Sequence, residues 1–165
     1  MNRITLTTMG IALLCSTAAY GAGYQLNEYS TTGLGRSLAG AGVVGDDYSA
    51  LAYNPAGMTL MKRSGMQLGI TEAEMASTVK SPTNEETKMH YGVTLPSAFG
   101  QWNVNERLSL GAGFYVPYGL STKHKSGSFV GSTARDSELE VMDTSFAAAY
   151  KVTDKLSLGA TAILR

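Results

Sequence analysis

The chain has 165 residues, with 13 basic and 13 acidic side chains, 19 Gly, 9 Tyr, 4 Pro and a single Cys. Balanced charge without a basic patch or stripe excludes a nucleic-acid-binding surface, and one cysteine excludes both a disulfide framework and a cysteine-built metal site. Beyond the first twenty or so residues no apolar run approaches the roughly 20 residues that a membrane-crossing helix needs, so a helical membrane protein is excluded as well.

Residues 1–21 have the layout of a secretory signal peptide. Arg3 and the amino terminus carry positive charge, and Met9 to Cys15 form a short apolar run. Ala19 and Gly21 then place small residues where a signal peptidase cuts, before Ala22. Leu14 stands where a lipoprotein signal has a small residue, which argues against lipid attachment at Cys15. Cleavage removes Arg3 and Cys15, leaving a mature chain without cysteine and with acidic residues one in excess.

Residues 22–60 make a second region. Gly33, Gly35, Gly40, Gly42, Gly45 and Gly57 are too dense for a long regular element. The pattern predicts one short helix over 48–53, with Asp47 as its N-cap and Tyr48, Leu51 and Ala52 on its apolar side. Pro55 disfavours helical geometry at Asn54, which ends the helix there. So compact and irregular a segment needs walls around it to be ordered.

From about residue 63 onward the hydrophobic period is two, the period of a strand. In Arg107-Leu-Ser-Leu-Gly-Ala-Gly-Phe-Tyr-Val116, Leu108, Leu110, Ala112, Phe114 and Val116 share one face, and Ser109, Gly111, Gly113 and Tyr115 the other. The same arrangement returns at 155–164, and residues 104–112 repeat as residues 152–160. Two long strands and two connections separate the copies, as in an up-and-down barrel. Strands are expected at 63–80, 88–103, 107–118, 137–151 and 155–165. Connections near 104–106 and 152–154 are short, and those near 81–87 and 119–136 are longer and polar. Outer-membrane barrels show that asymmetry, with short periplasmic turns and long external loops.

A soluble sandwich also alternates, but the signal peptide favours the membrane version. The fold class expected is therefore all-β: a transmembrane antiparallel β-barrel, of which about five strands are present, preceded by a short helical, Gly-rich plug. Tyr91, Trp102, Tyr115, Tyr118 and Tyr150 lie near strand ends, where interfacial aromatics belong. Pro96 and Pro117 fall inside strand-like runs, and each is expected to mark a bulge, bend or break.

Motifs that suggest other chemistry do not survive their context. Gly40-Ala-Gly-Val-Val-Gly45 fits the dinucleotide-binding pattern, yet no apolar strand precedes it as that pattern requires. His90 and His124 have no partner at metal-ligand or triad spacing. Asp46-Asp47 and Glu85-Glu86 are adjacent pairs, which point to opposite faces of an extended chain and do not converge on a substrate. No catalytic residues, metal or cofactor are expected, and the chain does not read as an enzyme.

The stretch Ala22-Gly-Tyr-Gln-Leu-Asn-Glu-Tyr-Ser30 is followed by Gly33-Leu-Gly-Arg36, Gly40-x-Gly42, Asp46-Asp47 and Asn54-Pro-Ala56. This series resembles the start of the outer-membrane long-chain fatty acid transporters, the FadL family, which includes importers of aromatic hydrocarbons. The resemblance continues more loosely through Tyr118-Gly-Leu120 to the end. It implies a fourteen-stranded barrel closed inside by an N-terminal hatch, an external groove, a deeper apolar pocket, and a kinked third strand that opens a gap toward the bilayer.

By position in that pattern, Ala22, Gly23, Tyr24 and Leu26 would be the hatch terminus at the ligand pocket. Pro117, Tyr118 and Gly119 would be the third-strand kink, and Asn54, Pro55 and Ala56 would anchor the hatch to the wall. The implied partners are a long-chain fatty acid or other hydrophobic small molecule and the lipids of a Gram-negative outer membrane. The implied full-length protein is monomeric.

The family needs several hundred residues, whereas this sequence stops at Arg165 in mid-strand. A barrel must close to satisfy its backbone in lipid, and single-chain bacterial barrels use eight or more strands. The sequence therefore predicts an N-terminal portion, unable to conduct transport alone. An aromatic-hydrocarbon importer of the same family shares every feature. A secreted β-structured adhesin or surface module would account for the signal and the strands, but not for the Gly-rich region or the Asn-Pro-Ala block.

Overall fold

The computed structural model describes residues 25–81, 86–123 and 136–165. The expected signal peptide, Ala22, Gly23, Tyr24, Glu85 and His124 lie outside the described residues.

Five strands, β1 (Gly65–Lys80), β2 (Glu86–Asn103), β3 (Leu108–Lys123), β4 (Asp136–Thr153) and β5 (Leu156–Leu164), form one antiparallel sheet in the order β1-β2-β3-β4-β5. The sheet is open, with β1 and β5 at its edges. All five expected strands are present, but β2 begins at Glu86, and β3 runs to Lys123 instead of stopping near 118. The extra turns of β3 pair Thr122 with Ser137 and Lys123 with Asp136. Ladder bonds are made by backbone, so a polar stretch continues a hairpin for which the apolar period gives no signal.

The sheet is apolar on its outer face. Met66, Leu68 and Ile70 of β1 are 71, 69 and 70 % exposed, and Leu156, Leu158 and Leu164 of β5 are exposed as well. Their alternating neighbours Gln67, Thr71, Ser157 and Thr161 point inward and bond to the N-terminal segment. A soluble antiparallel sheet would bury the apolar face and wet the other. Here the apolar face is left uncovered, as is the outward band of an outer-membrane barrel. No helix among the described residues is long and apolar enough to cross a membrane.

The core lies between the inner face and the N-terminal segment. Tyr29, Leu51 and Met58 from the segment pack on Phe99 of β2, Tyr115 of β3, and Ala147 and Ala149 of β4. Leu51 and Met58 have essentially no exposed surface. The segment contains helix α1 (Thr31–Gly35), helix α2 (Ala50–Tyr53) and a 3-10 helix at Pro55–Leu60. Helix α1 was not expected from the glycine density. Ser30 caps it, its Oγ accepting the Gly33 N–H at 3.0 Å.

Helix α2 starts later than the expected 48–53, and Asp47 is not its N-cap; Ser49 holds that position. Asp47 instead organises the turn before it, Oδ1 accepting the Ser49 N–H at 2.9 Å and the carbonyl accepting the Ala50 N–H at 3.2 Å. Tyr48 is drawn to the wall, its N–H donating to Gln67 Oε1 and its hydroxyl to the Arg63 carbonyl. Gly40, Gly42 and Gly45 all have positive φ, and the stretch resembling a dinucleotide motif is a run of turns.

Two of the aromatic expectations hold, and three are corrected. Trp102 and Tyr150 are exposed on the outer face beside the short turns. Tyr115 is 3 % exposed in the core, Tyr118 faces inward beneath Arg165, and Tyr91 lines an inner cleft with Leu95. The inner face has its own aromatic partners in the N-terminal segment, which position near a strand end does not reveal.

Candidate functional site

The wall has a break. Strands β1 and β2 pair continuously from Gly65–Gln101 to Lys80–Glu86, whereas β2 and β3 pair only from Asn103–Ser109 to Ala98–Phe114. Beyond that point the two strands part. The register of β3 against β4 shifts between Tyr115–Asp143 and Tyr118–Val141, so β3 carries one extra residue, a bulge that contains Val116 and Pro117. Pro117 has no N–H to give to a ladder, which is the local cause of the interruption. Pro96 fits the expectation of a break, but only on the side of β2 that faces β3. It pairs with Ile70 without a bulge, and it lies where β2 has left β3, so the break is in the second ladder and not the first.

The first described residues, Gln25 and Leu26, meet this break. The Leu26 N–H donates to the Pro117 carbonyl at 2.8 Å, and Gln25 forms a single antiparallel bridge with Tyr118. A Cβ at Gly119 would touch Leu26 Cδ1 at 3.1 Å. Since β4 holds one edge of β3, these contacts use the edge that β2 has vacated. Four residues singled out from sequence, Leu26, Pro117, Tyr118 and Gly119, thus come together. Ala22, Gly23 and Tyr24 lie outside the described residues.

Aromatic and apolar groups surround the junction. The ring of Tyr29 lies 4.6 Å from Tyr115 and 5.1 Å from Tyr53, and Phe99 stacks at 5.7 Å on Tyr115. Burial pushes the phenols of Tyr29 and Tyr53 up to about 12 by disfavouring the charged form. The Tyr53 hydroxyl donates to the Asn27 carbonyl. Leu95 and Val116, both buried, flank a cleft beside the parted strands. The cleft is small, about 20 Å³, and Glu140 borders its otherwise uncharged lining. A larger cleft of about 550 Å³ lies at the short-turn end and is lined by Lys62, Glu106, Lys151 and Asp154. Its charges make it a poor hydrocarbon site.

The second half of the segment is seated on the wall by side chains that reach its backbone. Gln101 Nε2 donates to the Met58 carbonyl and Asn103 Nδ2 to the Met61 carbonyl, each at 2.8 Å. Thr161 Oγ1 donates to the Leu51 carbonyl, and Thr59 Oγ1 pairs with Ser157 Oγ at 2.8 Å. Asn54 Nδ2 donates to the Gly42 carbonyl, and Gly57 approaches the same carbonyl so closely that a Cβ would lie 1.8 Å from its oxygen. Pro55 and Ala56 rest on Gly159, where a Cβ would come within 2.3 Å of the Ala56 nitrogen.

The wall side of this seat, Gln101, Asn103, Ser157, Gly159 and Thr161, was not singled out from sequence. The signal was the repeat itself. Its Ser-x-Gly step puts Ser109 and Gly111 on β3, and Ser157 and Gly159 on β5, toward the segment, with Gly111 giving room to Met58 and Leu51.

A meander that is apolar outside, and filled inside by an irregular N-terminal segment tied to a break in its third strand, defines the class: the wall of an outer-membrane β-barrel. Residues 12–165 match the family described as Outer membrane protein transport protein (OMPP1/FadL/TodX), and the chain belongs to that family. It is 29 % identical to the long-chain fatty acid transport protein of Escherichia coli K12, over 94 % of this chain and 36 % of that protein. It is likewise 29 % identical to outer membrane protein P1 of Haemophilus influenzae, over 89 % of this chain and 36 % of that protein. Among solved structures, a Pseudomonas aeruginosa FadL homologue superposes with a TM-score of 0.70 at 25 % identity, covering 86 % of this chain and 37 % of that one. The chain thus spans little more than a third of the length of these relatives.

Proposed function

We propose that this chain supplies the hatch and the first wall strands of an outer-membrane channel through which long-chain fatty acids, or similar hydrophobic compounds, pass without an energy source. The observation that carries the reading is the meeting of Leu26 with the bulge at Pro117, where β2 and β3 part. The name of the E. coli relative, a long-chain fatty acid transport protein, supports the ligand class.

In this reading Ala22, Gly23, Tyr24 and Leu26 gate the pocket, and Pro117, Tyr118 and Gly119 frame a side exit toward lipid. Asn54, Pro55 and Ala56 keep the body of the hatch in place. A fatty chain gains about 0.8 kcal/mol for each CH₂ it buries, so an apolar pocket takes it up unaided. Release then requires that the pocket be weakened. The terminus is held at the bulge by a single bridge, whose Leu26–Pro117 backbone hydrogen bond is worth about 1 kcal/mol, whereas the body is held at Gln101, Asn103, Ser157, Gly159 and Thr161. That asymmetry favours a terminus that moves while the body stays.

Five strands with two free edges leave backbone groups unpaired, and lipid does not tolerate this. Transport is accordingly proposed for the closed, monomeric barrel and not for these strands by themselves. In cells without an importer of their own, the closed barrel should take up oleate, and Gly23→Glu or Tyr24→Glu should abolish uptake while heat-modifiable migration persists. Undiminished uptake by both variants would refute the gating role of the terminus. A parent barrel that imports toluene but not oleate would overturn the fatty-acid reading in favour of aromatic hydrocarbons.

A further inference from the structure

A buried carboxylate stands directly across from the bulge. Asp143 of β4 is 1 % exposed and pairs with Tyr115, the last β3 residue before the register shift. Arg165, one residue beyond the final β4–β5 pair of Thr144 with Leu164, donates to both of its oxygens, from Nε at 2.8 Å and from a terminal nitrogen at 2.9 Å. The guanidinium also lies over the ring of Tyr118, 5.0 Å from its centroid. One cation thus joins β5, β4 and the far side of the bulge in β3.

The register explains why both tyrosines are within reach. Tyr115 and Tyr118 are three residues apart and would face opposite sides of an unbroken strand. The extra residue restores Tyr118 to the face of its partner Val141, which is the face of Asp143 and Tyr115. Bidentate pairing of arginine with carboxylate fixes orientation as well as distance, and a cation over a tyrosine face is attracted by the ring quadrupole. A carboxylate buried as deeply as Asp143 requires such a partner.

We propose that Arg165 and Asp143 are positioning residues that clamp Tyr118 on the lumen side and so hold the far half of β3 away from β2. The inference rests on the transport reading only for its consequence, a fixed side opening; the geometry of the clamp is testable by itself. Where the clamp acts β2 and β3 form no ladder pair, their pairing having ended at Ala98–Phe114, and a Cβ at Gly119 would meet Leu26 of the N-terminal segment instead.

The test is disulfide trapping between Thr94→Cys on β2 and Gly119→Cys on β3 in the membrane-inserted barrel, with any native cysteine replaced by serine. With the clamp intact, cross-linking should be slow. Adding Asp143→Asn or Arg165→Gln should speed it at least tenfold, and Arg165→Lys, which keeps the charge but loses the fork, should fall between. Should Asp143→Asn fail to give a heat-modifiable barrel, the double variant Asp143→Asn/Arg165→Gln leaves no lone buried charge and serves in its place. Folded variants that cross-link at the parent rate would overturn the proposal. Uptake of oleate and of its uncharged methyl ester should fall together in the clamp variants, through the maximal rate. A loss confined to oleate, through KM, would make Arg165 a ligand contact and overturn the positioning role. A barrel that imports neither compound would refute the transport reading, and the cross-linking rates would still decide the clamp.

Discussion

The amide of Leu26 donates to the carbonyl of Pro117 at 2.8 Å, so the beginning of the described chain is tied to the bulge in β3. The carbonyl is available because the bulge disrupts the ladder there and β2 has already turned away. Leu26→Pro removes the donor, whereas Leu26→Ala keeps it. A net hydrogen bond of about 1 kcal/mol corresponds to roughly a fivefold change in the open population. Amide exchange around Gln25–Asn27 should accelerate by about that factor in Leu26→Pro, with the barrel melting temperature unchanged. Equal exchange in the two variants would show that this bond does not hold the terminus.

Gly159 offers the sharpest test of the seat. A Cβ there would lie 2.3 Å from the Ala56 nitrogen and 2.6 Å from the Pro55 carbonyl carbon, which are backbone atoms that cannot swing aside. Gly159→Ala should therefore lift the segment at a cost of about 1–3 kcal/mol, typical of overpacking. Proteolysis of the segment in the folded barrel is the measurement, and it should rise by at least fivefold. Gly92→Ala, at a glycine with nothing within 4 Å of a Cβ, is the matched control and should have no effect on cleavage.

The contrast between Gly159 and helix α1 marks what was legible in the sequence. Strands announce themselves through a period of two, because one face meets lipid and the other meets the segment. The short turns, the outer aromatics Trp102 and Tyr150, and a disturbance at Pro117 followed from the same logic. The cap at Ser30 and the inward turn of Tyr115 and Tyr91 depend on groups far away in the chain, which local pattern does not contain. Leu26 and Pro117 were named together only through a family resemblance. That they touch follows from β2 leaving β3, a fact of three-dimensional pairing. Gly159 lay within reach of sequence reasoning, since the repeat placed it opposite an apolar face, but a glycine reveals its purpose only when the atom above it is known.

Gln101 and Asn103 act as a coupled pair and should fail as one. Gln101 Nε2 donates to the Met58 carbonyl and to Asn103 Oδ1, while Asn103 Nδ2 donates to the Met61 carbonyl. Gln101→Ala takes the side-chain donor from the Met58 carbonyl, which keeps only the Met61 N–H at 3.2 Å; this costs about 1 kcal/mol and also frees Asn103 to turn. The double variant Gln101→Ala/Asn103→Ala should cost less than the two single changes added together, by at least about 0.5 kcal/mol, the usual range for residues in one network. Chemical denaturation of the four members of the cycle reads this directly. Strict additivity would mean that each amide holds its carbonyl alone.

The tyrosine cluster predicts an alkaline transition with a definite sign. Burial raises the phenols of Tyr29 and Tyr53 to about 12, against an ordinary value of about 10. The folded state therefore favours the neutral form. The contribution is complete below about pH 10 and is lost as pH rises toward 12, because the unfolded chain releases these protons first. Phenolate absorbance of the folded barrel should show a late phase near pH 12 that is absent after denaturation. Tyr29→Phe and Tyr53→Phe should each remove part of it. Tyr53→Phe should in addition loosen the segment at Asn27, whose carbonyl loses its donor. Retention of the whole late phase in both variants would place the shifted groups elsewhere and separate the aromatic cluster from the stability of the N-terminal segment.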